Sequence, residues 1–289
     1  MNSVDLDSPT PSSSPPPVVS VVIPTYNRAW CLTRAVDSVL DQTFTDKELI
    51  VVDDGSEDDT TALLSAYGSR IQVIRQKNQG VSAARNAGIM AARGLWIALL
   101  DSDDHWLPAK LTAQFDWLAA HPDYRICQTE EIWIRDGRRV NPKKRHRKRG
   151  GHIFERCLPL CLVSPSAVMM ARSLLDEVGG FDEGLPACED YDLWLRIACT
   201  HPIGLVDEPL IVKTGGHPDQ LSRAPELDKY RIRALVMILK SGSLSRDQYN
   251  AALLMLTSKV KVYAGGCRKR EREVEALEYE ALVNELRER

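Results

Sequence analysis

Four short apolar runs alternate with amphipathic segments over the first hundred residues, and this alternation restricts the possible folds more than any other feature of the chain. The runs are rich in β-branched residues, and the segments between them repeat apolar residues at helical spacing. Strands separated by helices require right-handed crossovers, which generate a parallel sheet. The sequence therefore predicts an α/β fold in which helices flank a mostly parallel sheet, with strands at 18–23, 49–52, 71–74 and 95–100.

The remainder of the chain alternates less regularly and ends in helical segments. Strands are expected at 125–134 and 167–170, and as a pair around Leu205 and Ile211. Ser245 and Gln248 have the spacing of a capping box, which predicts a helix to about Val262. The glycine pair at 265–266 should separate that helix from a charged final one. Further helices are expected at 172–178 and 189–198.

Charge and cysteine content exclude some classes of function. The 289 residues carry a net charge of -3, which argues against a nucleic-acid partner. The seven cysteines are scattered, odd in number and without a CxxC pair, so neither a disulfide framework nor a zinc site is indicated. A reducing cytoplasm is the expected location.

The first seventeen residues are dominated by serine and proline and have no apolar core. This composition predicts a disordered leader rather than a signal peptide. Later apolar stretches, such as 234–239, fall far short of the ~20 residues that a bilayer-spanning helix needs. Any membrane contact is therefore expected to be peripheral.

Acidic residues follow two of the predicted strands. Asp53 and Asp54 come after the second strand, and Asp101, Asp103 and Asp104 come after the fourth. Open α/β sheets bind ligands at the carboxyl ends of their strands. Like charges packed together need a cation, and hard oxygen ligands suit Mg²⁺ or Mn²⁺. The sequence thus predicts a divalent cation and a phosphate-bearing ligand at this edge.

Five sequence motifs follow one another in a consistent order along the chain. They are Val21-Val22-Ile23-Pro24-Thr25-Tyr26-Asn27-Arg28, Val51-Val52-Asp53-Asp54-Gly55-Ser56, the segment from Gln79 to Gly88, Asp101-Ser102-Asp103-Asp104, and Glu189-Asp190-Tyr191-Asp192-Leu193-Trp194. Taken together, these motifs resemble the family-2 glycosyltransferases with the GT-A fold. The resemblance covers roughly residues 18–223, and it implies a nucleotide-sugar-binding half at 18–124, an acceptor-binding half at 125–224 and a C-terminal helical extension at 225–289.

The resemblance implies a nucleotide site on the loops after the strands. Asp54 would read the base, because its carboxylate accepts the ring N–H of uracil, thymine or guanine, which cytosine lacks. Its neighbour Asp53 can instead serve the Asp-Gly turn. Arg85 would contact phosphate or orient the acidic motif, the alternative being a structural ion pair. The implied nucleotide-binding residues are Pro24, Thr25, Tyr26, Asn27, Arg28, Asp54, Gln79, Gly80, Arg85 and Asp101.

The same resemblance implies a metal site and a base. Asp103, Asp104 and His217 would hold Mn²⁺ or Mg²⁺, with the roles of the two aspartates left open. Asp190 would accept the proton of the attacking hydroxyl, giving inversion in one displacement, and Glu189 would orient the acceptor. The alternative for this acidic pair is helix capping, since acids stabilise the first turn of a helix.

The implied activity is transfer of a sugar from a nucleoside-diphosphate sugar, foremost a UDP-sugar, to a saccharide or lipid-linked glycan, in surface polysaccharide assembly. Two alternatives remain: a non-catalytic nucleotide-sugar-binding scaffold, and a sugar nucleotidyltransferase, which should carry a Gly-rich signature that Pro24–Arg28 does not supply. The basic stretch Lys143–Arg149 is expected to be a mobile loop, either solvated or facing an anionic acceptor or membrane. The oligomeric state is not predicted by any feature of the sequence.

Overall fold

The computed structural model describes residues 15–141, 143–217, 220 and 226–288, and these form a nine-stranded sheet with helices on both faces. Most of the predicted leader, residues 1–17, lies outside the described residues. The strands are β1 Val19–Thr25, β2 Lys47–Asp53, β3 Gln72–Arg75, β4 Trp96–Leu99, β5 His105–Trp106, β6 Ile126–Arg135, β7 Arg138–Val140, β8 Val168–Ala171 and β9 Gly204–Gly215. The helices are α1 Leu32–Leu40, α2 Thr60–Ser65, α3 Val81–Ala91, α4 Lys110–Ala120, α5 Phe154–Cys157, α6 Arg172–Val178, α7 Glu189–Ala198, α8 Leu227–Lys240, α9 Arg246–Arg268 and α10 Glu273–Arg287.

The sheet is parallel where the sequence alternates most regularly. Its order is β3-β2-β1-β4-β8-β6-β9-β5, with β7 paired to β6, and the first four strands in this order run parallel. The antiparallel pairings all involve the second half: β8 with β4 and β6, β5 with β9, and β7 with β6. Because β1 lies between β2 and β4, the loops that follow these three strands meet at one edge.

Two apolar layers sandwich the sheet. Successive residues of β1, such as Val21 and Val22, enter opposite layers, which explains why this strand is buried throughout. One layer contains α1, α2 and α4, and the other contains α3 and α5 to α10. Gly88 lets α3 approach the sheet closely, because a Cβ at this position would overlap the side chain of Val22. The expected α/β architecture with a C-terminal helical extension is what the structure forms.

Two predicted breaks differ in the structure. The strand pair around Leu205 and Ile211 is a single strand, β9, in which Asp207 and Glu208 are accommodated by a bulge opposite β6. The helix α9 begins at the predicted capping box but continues through Gly265 and Gly266 to Arg268. The buried Val260, Tyr263, Ala264 and Cys267 explain the continuation, because packing of this face outweighs the low helix propensity of glycine.

The basic stretch Lys143–Arg149 is more ordered than its charge density predicts. Residues 144–146 form a 3₁₀ turn, and the side chain of Lys148 is buried. Lys148 Nζ lies 3.0 Å from Glu131 Oε1 and donates to Gln128 Oε1 at 3.0 Å, both on β6. The buried Lys148, with these two partners on β6, therefore attaches this segment to the sheet. Among the described helices, none is both long and apolar enough to cross a membrane.

Candidate active site

Two adjoining cavities occupy the edge where the loops after β1, β2 and β4 meet. The larger encloses about 490 Å³ and is lined mainly by the loop after β1 and the start of α3. The smaller, about 300 Å³, lies between the acidic motif after β4 and the start of α7. Both are lined by Pro24, Arg28, Val81 and Ser102, so they form one continuous cleft. The larger cavity also contains Thr25, Tyr26, Asn27, Asp54 and Gly80, and the smaller one Arg85, Asp101, Asp103, Asp104, Glu189, Asp190 and His217.

The carboxylate of Asp54 closes the loop that leads into α3. Its Oδ1 accepts hydrogen bonds from Gln76 Nε2 at 2.8 Å and from the Gln79 backbone at 3.0 Å, while Oδ2 accepts one from the Gly80 backbone at 2.8 Å. Gln79 therefore contributes its backbone N–H to Asp54 and does not line either cavity. A carboxylate offers about four acceptor positions, so Asp54 keeps one for a ligand.

Asn27 and Asp53 hold neighbouring loops in place. Asn27, at φ 53°, donates its backbone N–H to Ser56 Oγ at 2.9 Å, and its Oδ1 accepts from the Glu57 backbone at 2.8 Å. Asp53 Oδ1 accepts from the Ser56 backbone at 2.9 Å, in the turn role considered from the sequence. These contacts fix the wall of the larger cavity before any ligand binds.

Arg85 bridges the two halves of the smaller cavity. It projects from α3 and donates from Nη1 to Glu189 Oε1 at 2.6 Å and from Nη2 to Asp101 Oδ1 at 2.7 Å. Burial alone would lower the pKa of the guanidinium, but Asp101 and Glu189 together raise it above its usual value. The arginine is thus a fixed cation that sets the separation between the acidic motif and the start of α7.

The acidic motif divides into two different environments. Asp103 Oδ2 lies 2.8 Å from His217 Nε2, and the imidazole also packs edge-on against Trp30 at 5.5 Å between ring centroids. The two oxygens of Asp104 instead accept from the Thr214 backbone at 2.9 Å and from Ser166 Oγ at 2.7 Å. The sequence left open which aspartate would hold a metal, and these contacts separate the two.

Burial and mutual repulsion perturb both carboxylates of the motif. Burial and the nearby Asp101 raise the pKa of Asp103, although His217 acts in the opposite direction. Burial and Asp103 raise the pKa of Asp104 well above its usual value. Carboxylates in this condition gain from an added cation.

The donor set is compatible with a divalent ion held mainly by substrate. Asp103 and His217 are adjacent and face the cavity, whereas Asp104 is already hydrogen-bonded. Within the described ranges, no group of three or more His, Cys, Asp or Glu residues is arranged to hold a metal on its own. Mg²⁺ and Mn²⁺ commonly bind through one or two carboxylates together with substrate phosphates, and Asp103 fits that pattern. His217 would add a nitrogen ligand, which Mn²⁺ accepts more readily than Mg²⁺.

Helix α7 presents Asp190 to the same cavity from the opposite side. Cys188, in the left-handed conformation at φ 62°, turns the chain into the helix. Asp190 Oδ2 accepts from Cys161 Sγ at 3.3 Å, and Oδ1 accepts from the backbone of Tyr191 at 2.7 Å. Burial and the adjacent Asp190 raise the pKa of Glu189, against the effect of Arg85. Asp190 thus lines the cavity, while Glu189 is engaged by Arg85.

Three cavity residues with ionisable side chains were not identified from the sequence. Lys213 reaches the cavity from β9, Arg231 from α8 and Cys161 from the segment after α5. A lysine directly after the apolar stretch Leu210–Val212 of a strand is a usable signal, because a charge beside such a run needs a partner. Arg231 and Cys161 have no comparable local pattern. Ser166, in the 3₁₀ turn before β8, donates to Asp104.

Comparison with known proteins matches the chain to the model "Glycosyl transferase family 2" over residues 20–179. An uncharacterized glycosyltransferase of Rickettsia prowazekii is 31% identical over 221 residues, covering 74% of this chain and 69% of that protein. A second, from Rickettsia felis, is 32% identical over 216 residues, which are 72% of this chain but only 35% of that protein. The chain thus spans about a third of some relatives and about two thirds of others.

Two further similarities carry names with more detail. The Escherichia coli protein WfgD, named a UDP-Glc:alpha-D-GlcNAc-diphosphoundecaprenol beta-1,3-glucosyltransferase, is 31% identical over 198 residues, or 66% of this chain and 73% of that protein. The crystal structure of S. aureus TarS 1-349 in complex with UDP-GlcNAc superposes with a TM-score of 0.71 at 19% identity, covering 92% of this chain and 81% of that one. The fold class predicted from the sequence is confirmed by this similarity.

Proposed function

Because this chain belongs to glycosyl transferase family 2, we propose that it transfers a sugar, with inversion, from a UDP-sugar to a hydroxyl group of a saccharide or lipid-linked glycan. The main observation that supports this proposal is that Asp190 and the acidic motif after β4 line opposite sides of one cavity. Arg85 links the two sides through its ion pairs with Asp101 and Glu189. A base and a diphosphate-binding end on either side of the reacting carbon are what a single displacement requires.

In the proposed reaction, Asp190 accepts the proton of the acceptor hydroxyl as that oxygen attacks the anomeric carbon. The bond from the anomeric carbon to the β-phosphate oxygen breaks, and its electron pair leaves with the nucleoside diphosphate. The Asp190 carboxylate already accepts a thiol hydrogen bond from Cys161, which keeps it oriented toward the cavity. General-base assistance of this kind typically contributes about 10²- to 10⁴-fold in rate.

The metal dependence is part of this proposal. Asp103 and His217 would hold a Mn²⁺ or Mg²⁺ ion together with the diphosphate, and Asp104 would support the motif from behind. When bound, such an ion acts as a Lewis acid toward the leaving phosphate. The rest of the site, from Asp54 to Arg85, would orient the donor by its own contacts.

The preference for UDP rests on two supports. Asp54 has one acceptor position left beside its three N–H partners, which suits the imide N–H of uracil. The names of WfgD and of the TarS complex both include a UDP-sugar. The acceptor assignment and a role in surface polysaccharide assembly at the cytoplasmic face of a membrane rest on the name of WfgD and on the sequence resemblance alone.

The test compares Asp190→Asn with Asp123→Asn, a matched change at an exposed position outside the cavities. Asp190→Asn should bind UDP within about twofold of wild type yet lose at least 10²-fold in sugar release from UDP-sugars, while Asp123→Asn should match wild type. Full turnover in Asp190→Asn would remove this residue from the mechanism.

Thermal shift measures the stabilisation by UDP, GDP, dTDP and CDP, each with and without Mn²⁺. CDP should stabilise least, because all four carry a diphosphate and cytosine alone lacks a ring N–H for Asp54. Equal stabilisation by all four would contradict the role of Asp54. No release of nucleotide from any nucleotide sugar would favour the scaffold alternative.

A further inference from the structure

Lys213 is a partly buried cation in the smaller cavity with no role in the mechanism so far. It lies near the end of β9, opposite Trp133 of β6, and lines the cavity together with Asp101, Asp104 and Asp190. Its chain neighbour, Thr214, donates its backbone N–H to Asp104. The strand therefore delivers an ammonium group to the space between the acidic motif and the proposed base.

The charges around Lys213 keep it protonated. Burial by itself would lower the pKa of the ammonium, but Glu131, Asp104, Asp101 and Asp190 together raise it above its usual value. These four carboxylates approach it from β6, from the loop after β4 and from α7. The surrounding carboxylates therefore favour the charged form of Lys213.

This ammonium nevertheless forms neither a hydrogen bond nor an ion pair with any described residue. Glu131, the carboxylate that raises the pKa of Lys213 most, already has Lys148 at 3.0 Å and Trp133 Nε1 at 2.8 Å as partners. Arg85, by contrast, is engaged at both ends by Asp101 and Glu189. A lysine has three N–H donors, and leaving them unmatched in a partly desolvated site is costly. The missing partner should be anionic oxygen supplied by a ligand.

We propose that Lys213 donates hydrogen bonds to the distal phosphate of the donor diphosphate and stabilises the charge that develops there when the glycosidic bond breaks. The inference rests on the proposed function, since it needs a nucleoside diphosphate in the cleft. Lys213 transfers no proton in this step, because the proton of the acceptor goes to Asp190. A cation aimed where charge develops stabilises that charge more in a partly buried site than in bulk water.

The experiment measures dissociation constants by calorimetry for UDP, UMP and uridine, with Mn²⁺, on wild type and variants. Lys213→Met should weaken UDP binding by roughly 10- to 100-fold and change UMP and uridine binding by less than about twofold, because these lack the distal phosphate. Lys213→Arg should keep most of the UDP affinity. Lys144→Met, which removes an exposed lysine outside the cavities, serves as the control with the same change in charge.

Unfolding temperatures without ligand identify any variant that fails to fold, and Lys213→Gln then takes the place of Lys213→Met in the same comparison. An unchanged ratio of UDP to UMP affinity would overturn the inference. Wild-type protein that binds neither UDP nor GDP nor dTDP would instead overturn the proposed function itself.

Discussion

Replacing Arg85 with methionine should destabilise the fold in a strongly pH-dependent manner. Methionine keeps much of the buried volume but leaves two carboxylates, Asp101 and Glu189, without their common cation. The side chain of Glu189 is 5% exposed and that of Asp101 is 27% exposed. Most of the penalty should therefore come from Glu189, because water screens Asp101 better.

Protonation of Glu189 sets an upper limit on the loss of folding stability in this variant. Breaking a buried ion pair by removing one partner costs about 3–5 kcal/mol. Glu189 can avoid an unpaired buried charge by taking up a proton. Relative to an unfolded glutamate of pKa about 4.3, this protonation costs about 4 kcal/mol at pH 7.5 and about 1.6 kcal/mol at pH 5.5. We expect a loss of about 3–4 kcal/mol at pH 7.5 and about 1–2 kcal/mol at pH 5.5.

The sign follows from the direction of the pKa shift. Burial and Asp190 already raise the pKa of Glu189 in the wild type, and loss of Arg85 removes the group that opposes them. The folded variant then binds a proton that the unfolded chain releases above about pH 4.3. Its stability must therefore fall as the pH rises from that value toward the raised folded pKa.

Urea denaturation at both pH values measures this effect. Arg246→Met, at an exposed position of α9, is the control and should stay within about 0.5 kcal/mol of wild type. The double variant Arg85→Met/Glu189→Gln should recover more than half of the loss at pH 7.5, because no buried carboxylate is then left unpaired. A loss below about 1 kcal/mol at pH 7.5, or an equal loss at both pH values, would refute the reasoning.

Two further predictions concern packing and the acidic motif. Gly88→Ala should lower the free energy of unfolding by about 1–3 kcal/mol, because its Cβ would overlap Val22. Gly265→Ala has open space around its Cβ and should raise the free energy of unfolding by roughly 0.5–1 kcal/mol. Chemical denaturation that shifts both variants in the same direction would contradict this packing. Ser166→Ala should cost about 1–3 kcal/mol and lower donor turnover, because Asp104 loses a 2.7 Å hydrogen bond; unchanged steady-state rates would show that this bond does not shape the motif.

The parallel half of the fold was predictable because its signals are local. Strand runs and helix faces up to residue 100 depend on side chains close in sequence, and their bounds agree with the structure to within a few residues. The capping box at Ser245 is local as well and is present. The end of α9 was not predictable from local sequence. Tyr263 and Cys267 belong to the apolar core that α9 shares with other helices, and this packing lets the helix continue past Gly265.

The candidate site divides in the same way. Motifs at the ends of β2 and β4 placed Asp54 and Asp101 in one cleft, because strand order alone brings those ends together. Asp190, at the start of α7, was assigned to the same cleft through its family-like motif, and it lines the smaller cavity. The pairing of Arg85 with Glu189 joins residues 104 positions apart and needs the packed structure. Lys213 reaches the cavity only after the bulge in β9 has reset which residues face it, and no local pattern predicts that register.

One face of α7 packs against the C-terminal helices, and this packing has a consequence for sequence evolution. Tyr191, Trp194 and Leu195 enter the same apolar core as Ile232 and Leu256 of the C-terminal helices. The family match ends at residue 179, before α7 begins. Substitutions in α8 and α9 can therefore shift Asp190 relative to the acidic motif without altering any residue of the cleft. The position of the proposed base can consequently change through the C-terminal helices, while the parallel half of the sheet stays as it is.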